Sequence, residues 1–363
     1  CLKISEKCTG HKIQLDFQED FTMDREFKMA IVGFGGMGNW HRELTETIEH
    51  LSVKGVYDIN EARQNYAREL GLVAYDSLEA VLADDEIDLV LCATPNDVHK
   101  EVVIKTLNAG KYVLCEKPAT MASADFEEMM AAQKSTKLFV HQNRRWDEDY
   151  LTVRNILDAD MLGPVFKIES RVHGSRGIPG DWRGTVEHGG GMVLDWGVHL
   201  LDQALQMIPG KIKTVYATET HVTNELVDDG FTVNLQFENG VLFVVEVGTS
   251  NFINLPRWYV LGRDGSAIIK DWDLSGEAVC ITDWDKNDAV PVKTMAPRTE
   301  DTIKTQPLPI AHSDIRDHYR NLMAVMSGEA EQLIKNEEVL RVLRLMECIF
   351  ESAKKNQVLP FEA

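Results

Sequence analysis

Three residues of this sequence, Lys117, Asp195 and His199, are of the types needed to move a proton at a hydroxyl group. Asp195 and His199 stand four apart in Met192–Ile208, a run whose other positions are nearly all apolar and whose pattern predicts a largely buried helix. With Asp202 and Gln206 they are spaced by four, three and four, which places all four on one polar stripe. Ionisable groups inside an apolar environment need partners or a task. An imidazole, with an ordinary pKa of about 6.5, exchanges protons readily near neutral pH. An aspartate one helical turn away can hold that imidazole in place. A lysine can donate to a developing alkoxide and lower its energy, as any preorganised cation does. The plainer reading is a structural Asp195–His199 pair and a surface salt bridge for Lys117.

Oxidation of an alcohol also needs somewhere to send the hydride. Gly33-Phe34-Gly35-Gly36-Met37-Gly38 fits G-x-G-x-x-G directly after an apolar run that reads as a strand. The first glycine permits a tight turn, the second lets backbone approach a pyrophosphate, and the third lets a helix pack close to a sheet. Phosphate charge then rests on the amides at that helix's N-terminus. Asp58 lies 20 residues beyond Gly38, at the end of a second predicted strand. A carboxylate there bonds the ribose hydroxyls of a dinucleotide and repels a 2′-phosphate, and Ile59 and Asn60 offer no compensating positive charge. The expected cofactor is therefore NAD(H). The alternative for Asp58 is that it merely caps the following helix. Thr94-Pro95-Asn96 with His99, and Glu116-Lys117-Pro118, follow the fourth and fifth predicted strands. Carboxyl ends of parallel strands are where open α/β sheets bind ligands, so Thr94, Pro95, Asn96, His99, Glu116 and Lys117 join the glycine loop and Asp58 as candidate cofactor contacts.

The elements that must carry these residues fall into two groups. Strand-like runs at Met29–Val32, Val53–Tyr57, Leu72–Tyr75, Leu89–Ala93, Tyr112–Leu114 and Leu138–His141 alternate with helical segments such as Ala62–Leu70 and Val98–Asn108. Those helices end near Gly71 and Gly110, where glycine supplies a left-handed cap. Buried strands alternating with helices predict a doubly wound parallel sheet, a Rossmann arrangement, over residues 28–147. Beyond one more helix (Tyr150–Leu157), alternating strand patterns dominate: Val165–Val172, Lys213–His221, Phe231–Phe237, Val241–Val247, Trp258–Leu261 and Ala267–Lys270. Asn239-Gly240 and Asp264-Gly265 are hairpin-turn signals between paired runs. Residues 148–363 are accordingly expected to form an α+β domain with an open, mainly antiparallel sheet, closed by helices around Ile315–Met326 and Glu337–Lys355. Trp258 and Tyr259 read as packing residues. The apolar run Val241–Val247 suggests strands buried on both faces, and hence a homo-oligomer, dimer or tetramer.

Composition narrows the role. A chain of 363 residues is long enough for two cores. Its 58 acidic against 38 basic residues give a formal charge of −20, which repels nucleic acid and anionic membrane surfaces. Neither a membrane-spanning apolar run nor a signal peptide is visible. Six cysteines (Cys1, Cys8, Cys92, Cys115, Cys280 and Cys348) lack CxxC pairing, so reduced thiols in a cytoplasm are expected, and no metal site. Residues 1–27 carry no clear periodicity and read as an extension, with Met23 or Met29 as the natural start.

The glycine loop, Thr94-Pro95-Asn96, Glu116-Lys117-Pro118 and the Asp195-x-x-x-His199 pair together resemble the glucose–fructose oxidoreductase and inositol dehydrogenase family, from about residue 28 to the end. The resemblance implies that Lys117, Asp195 and His199 act together at a substrate hydroxyl, and that the second sheet often serves oligomerisation. It also singles out Arg145, in the segment after the sixth strand, and Trp182 and Arg183, in a loop that approaches the nicotinamide in relatives, as candidate substrate contacts; for Arg145 an interdomain salt bridge is an equal alternative. The expected activity is NAD(H)-dependent hydride transfer at a secondary hydroxyl of a sugar, glycoside or polyol. Its rivals are oxidation of an intact glycoside to a keto-glycoside that a partner enzyme cleaves, glycoside hydrolysis with NAD as resident redox catalyst, and a non-catalytic NAD sensor.

Overall fold

The computed structural model describes residues 25–284, 295 and 297–362; Cys1, Cys8 and Met23 lie outside them. Six strands, Phe27–Val32 (β1), Leu51–Tyr57 (β2), Val73–Ala74 (β3), Leu89–Cys92 (β4), Tyr112–Cys115 (β5) and Leu138–Val140 (β6), form one sheet in the order β3-β2-β1-β4-β5-β6. Every neighbouring pair is parallel. β4 and β6 are buried at every position, as strands covered by helices on both faces must be. The crossovers are α1 (Gly36–Thr45), α2 (Glu61–Glu69), α3 (Leu78–Leu82), α4 (His99–Asn108) and α5 (Ser123–Ala131). Asn60 and Ser77 cap α2 and α3 by accepting from the amides of Ala62 and Ala80. Strand order reverses beside β1, between β1 and β4, and open α/β sheets bind ligands beyond the carboxyl ends at such a point.

After α6 (Glu148–Asp158) come β7 (Val165–His173), α7 (Val198–Met207), β8 (Ile212–Thr220), β9 (Gly230–Phe237), β10 (Leu242–Gly248), β11 (Trp258–Gly262), β12 (Gly265–Ile269), β13 (Gly276–Ile281), β14 (Ile303–Gln306), α8 (Arg316–Met326), α9 (Asn336–Lys355) and β15 (Leu359–Pro360). Nine strands make a second sheet, β14-β13-β12-β11-β7-β10-β9-β8-β15. It is antiparallel except where β10 runs parallel to β7. The two expected hairpins join β9 to β10 and β11 to β12. Along β10 buried positions alternate with half-buried ones, so within a single chain this strand buries one face. Trp258 is fully buried, its indole N–H donating to Asp149 at 2.7 Å.

Two sequence expectations change. The run Met192–Ile208 is not one α-helix: Val193–Gly197 is a π turn, and the α-helix begins at Val198. The final segment is also not confined to the second sheet. α8 returns to the first, where Tyr319, Leu322, Met323 and Val325 pack with Phe27, Met29, Ile31 and Phe139. Among the described residues, no helix is long and apolar enough to cross a membrane.

Candidate active site

The glycine loop connects β1 to α1. Gly33 has φ +91°, and a Cβ there would strike the backbone of Ala93 and Thr94. A Cβ on Gly38 would run into the carbonyl of Gly33. These two glycines are required by the protein's own packing. At Gly35 and Gly36 a Cβ would meet nothing within 4 Å, and Met37 is exposed. The backbone at the start of α1 is thus open to a ligand, as a pyrophosphate requires. Asp58 lies at the end of β2; its Oδ2 accepts from Phe34 N at 2.6 Å and its Oδ1 from Asn60 N at 2.8 Å. The carboxylate braces the glycine loop, while the side chain that caps α2 belongs to Asn60.

Beyond β4, Thr94 is half-buried and Pro95 exposed, whereas Asn96 is buried and donates to the Gly189 carbonyl at 3.1 Å. This ties the nucleotide sheet's edge to the triple glycine. Two expected cofactor contacts, His99 and Glu116, are buried. His99 is fully buried, with ring nitrogens 3.1 Å from the Pro118 carbonyl and 2.9 Å from that of Thr94. Cys92 and Cys115 lie beside it. Glu116 is buried too, and its carboxylate is taken up by His41, His141 and the Lys117 amide. Both side chains are engaged within the protein's own hydrogen bonds.

Lys117 does reach outward. Its Nζ donates to the Asp195 carbonyl and to Asp195 Oδ1, both at 2.9 Å. Arg183 Nε donates to Asp195 Oδ2 at 3.0 Å. Burial alone would raise the Asp195 carboxyl, but Lys117 and Arg183 outweigh it and hold the group below its ordinary value. The π turn explains the partner: a wider turn swings Asp195 out of the register an α-helix would give it relative to His199. Asp195 and His199 accordingly share no hydrogen bond, and His199 Nδ1 is buried without a partner among the described residues. Burial, with Lys117 and Arg144 nearby, pushes the His199 imidazole well below its usual range, so it stands neutral at pH 7. The turn itself is held by Asp228, whose Oδ2 accepts from Val193 N at 2.8 Å and whose carboxyl burial pushes up to about 7. Gly191, at φ +103°, is glycine because a Cβ would strike that carboxylate.

The remaining candidates divide. Arg183 enters the site, stacked on Trp182 at 4.6 Å. Arg145 does not: it donates to both oxygens of Asp202 at 2.8 and 2.7 Å and to Glu338 at 2.7 Å. The salt-bridge alternative describes it, and Asp202, on the supposed polar stripe, is its counter-ion. Sequence reasoning passed over Arg144, which lies 4.2 Å from the Trp196 ring centre, and His41, His318 and Tyr319. The histidines carry no distinguishing spacing; only the fold brings them together.

Family models match both halves: residues 27–143 match the oxidoreductase family with NAD-binding Rossmann fold, and residues 150–268 the GFO/IDH/MocA C-terminal domain. A solved NAD-binding protein from Listeria innocua is 46% identical, with TM-score 0.90, covering 93% of this chain and 100% of that one. An oxidoreductase of Schizosaccharomyces pombe is 29% identical over 316 residues, 78% of this chain and 84% of its own. The scyllo-inositol 2-dehydrogenase (NADP(+)) of Bacillus subtilis is 26% identical over 350 residues, 92% of this chain and 96% of its own.

Proposed function

The chain belongs to the GFO/IDH/MocA family of NAD(P)-dependent oxidoreductases, and from that premise we propose that it moves a hydride between NAD(H) and a secondary hydroxyl of a sugar, glycoside or polyol. The observation that carries this reading is the placement of Lys117 Nζ against Asp195, near the buried His199, at the carboxyl edge of the nucleotide sheet. Bound nicotinamide dinucleotide supplies the hydride acceptor or donor. The open backbone at Gly35 and Gly36 would hold its phosphates and Asp58 its ribose hydroxyls; with a carboxylate at that position, NAD(H) is favoured over NADP(H).

His199 accepts the hydroxyl proton, for which its neutral state is the competent one. Lys117 donates to the oxygen as charge develops on it, and the surrounding protein strengthens that interaction by excluding water. Asp195 holds Lys117 and Arg183 in place, and Arg183 with Trp182 forms one wall of the substrate cleft. Relatives named inositol dehydrogenases make cyclic polyols the first substrates to test.

The deciding experiment follows NADH absorbance with NAD+ and a panel of inositols, aldoses, alditols and intact glycosides, with mass spectrometry of products. Net NADH formation on a secondary alcohol supports the proposal. Glycoside cleavage without net NADH formation would establish the hydrolase reading, and NADH binding without turnover across the panel would establish the sensor.

A further inference from the structure

Behind Lys117 lies a buried network that the reaction just described does not use. Glu116 is 6% exposed, and among the described residues no lysine or arginine side chain pairs with it. Its Oε1 accepts from His41 Nε2 at 2.6 Å and from His141 Nδ1 at 2.9 Å. Its Oε2 accepts from the Lys117 amide at 3.1 Å. Both histidines are fully buried. Because His41 Nε2 donates to the carboxylate, its Nδ1 is the acceptor for the Tyr319 hydroxyl, which is hydrogen-bonded to it. Burial would raise the Glu116 carboxyl, but the two imidazoles hold it well below its ordinary value.

The four residues come from four elements: His41 from α1, Glu116 from the end of β5, His141 from the end of β6 and Tyr319 from α8. A buried charged network of this kind gains little stability over apolar side chains of equal volume. What it does supply is direction. Lys117 is gripped at both ends, its amide by Glu116 and its Nζ by Asp195. The helix supplying His41 is also the one whose first turn carries the glycine loop.

We propose that His41, Glu116 and His141 are positioning residues that lock Lys117 to the cofactor-binding helix, so that the lysine's reach toward Asp195 is set by the same element that seats the dinucleotide. This rests on Lys117 acting in the reaction. The same three side chains include types that ligate metals. However, an ion held at about 2.0–2.1 Å by nitrogen and oxygen ligands would spread those atoms beyond the 2.6 Å that separates His41 Nε2 from Glu116 Oε1. The spacing is that of a hydrogen bond.

Two sets of variants test the proposal. Glu116→Gln keeps the volume, but its single amide oxygen cannot accept from both histidines and the Lys117 amide. His141→Leu removes one donor, while His141→Asn keeps a donor where Nδ1 stood. Crystal structures with NADH bound read the Lys117 Nζ–Asp195 contact directly. A double-mutant cycle with Lys117→Ala reads kcat on whichever substrate the panel yields. The expected result is a Lys117 Nζ displaced from Asp195 in Glu116→Gln and His141→Leu and restored in His141→Asn. A misplacement of that kind is expected to lower kcat by about 10- to 100-fold. In the Lys117→Ala background Glu116→Gln should add less than about twofold, because the two act as one unit.

Lys117 Nζ remaining against Asp195 in Glu116→Gln and His141→Leu overturns the proposal. So do equal kcat losses from Glu116→Gln in both backgrounds, or stoichiometric metal in the purified protein. A Lys117→Ala variant with undiminished kcat would remove the lysine's role and this inference together. Damage from Lys117→Ala with none from Glu116→Gln would remove the inference alone.

Discussion

His199→Ala offers the sharpest separation between chemistry and folding. The imidazole makes no hydrogen bond to a described residue, with Nδ1 buried and unpartnered, and alanine is the best helix former. Its removal therefore breaks no polar contact in α7. At the ordinary histidine pKa about three-quarters of the imidazoles are neutral at pH 7. Burial, Lys117 and Arg144 push His199 well lower, so the proton-accepting fraction is larger than that. A positioned general base contributes about 10²- to 10⁴-fold, or roughly 3–5 kcal/mol of barrier at about 1.4 kcal/mol per tenfold. NADH formation at saturating NAD+ and alcohol should fall by that factor, with NADH affinity from fluorescence titration near normal. The sign of the pH dependence follows from the lowered value. The base form exists above the folded pKa, so the acid limb of kcat/KM should lie below pH 6.5. Turnover within about threefold of the parent enzyme, or an acid limb centred at or above pH 6.5, would refute the reasoning.

Further outcomes are expected. Asp58→Ser combined with Ile59→Arg should shift preference toward NADP(H), read as the ratio of kcat/KM values for the two cofactors; equal use of both by the unmodified enzyme would discount Asp58. Asp202→Asn strips the Arg145 guanidinium of its buried bidentate partner. Breaking such a pair costs about 3–5 kcal/mol, and because Glu338 remains, the lower end is expected in urea unfolding; a loss below about 0.5 kcal/mol would reject the pair's role. The exposed-side residues Leu242 and Val244 of β10 and Tyr259 and Leu261 of β11 are only half-buried, and a homo-oligomer through this sheet face is expected by light scattering at micromolar concentration. A monomer there would discard the idea.

What was legible in the sequence alone is whatever is decided by neighbours along the chain. The parallel strands announced themselves as short apolar runs because both of their faces are covered. The glycine loop was readable because a tight turn followed by a close-packed helix admits no Cβ at Gly33 or Gly38. The β9–β10 hairpin was written in Asn239-Gly240, since that dipeptide suits the turn's backbone. Lys117 stood out because it ends a strand in a sheet whose ligands gather at that edge.

Tertiary structure decided what depends on residues far apart. The β7–β10 parallel pairing joins strands with no local turn to signal it, and β13, β14 and β15 were not read from the sequence. The π turn at Val193–Gly197 leaves the apolar spacing of the run intact while changing where Asp195 points, so the expected Asp195–His199 pair became a Lys117–Asp195–Arg183 cluster. Arg145 and Asp202 each looked functional until the fold set them against one another. Glu116 looked like a cofactor contact because of its place in the chain, yet its partners His41 and His141 lie 75 residues before it and 25 after it. Periodicity and local motifs carry no information about which polar groups will be buried together. That depends on how four separate elements converge, and only the packed molecule records it.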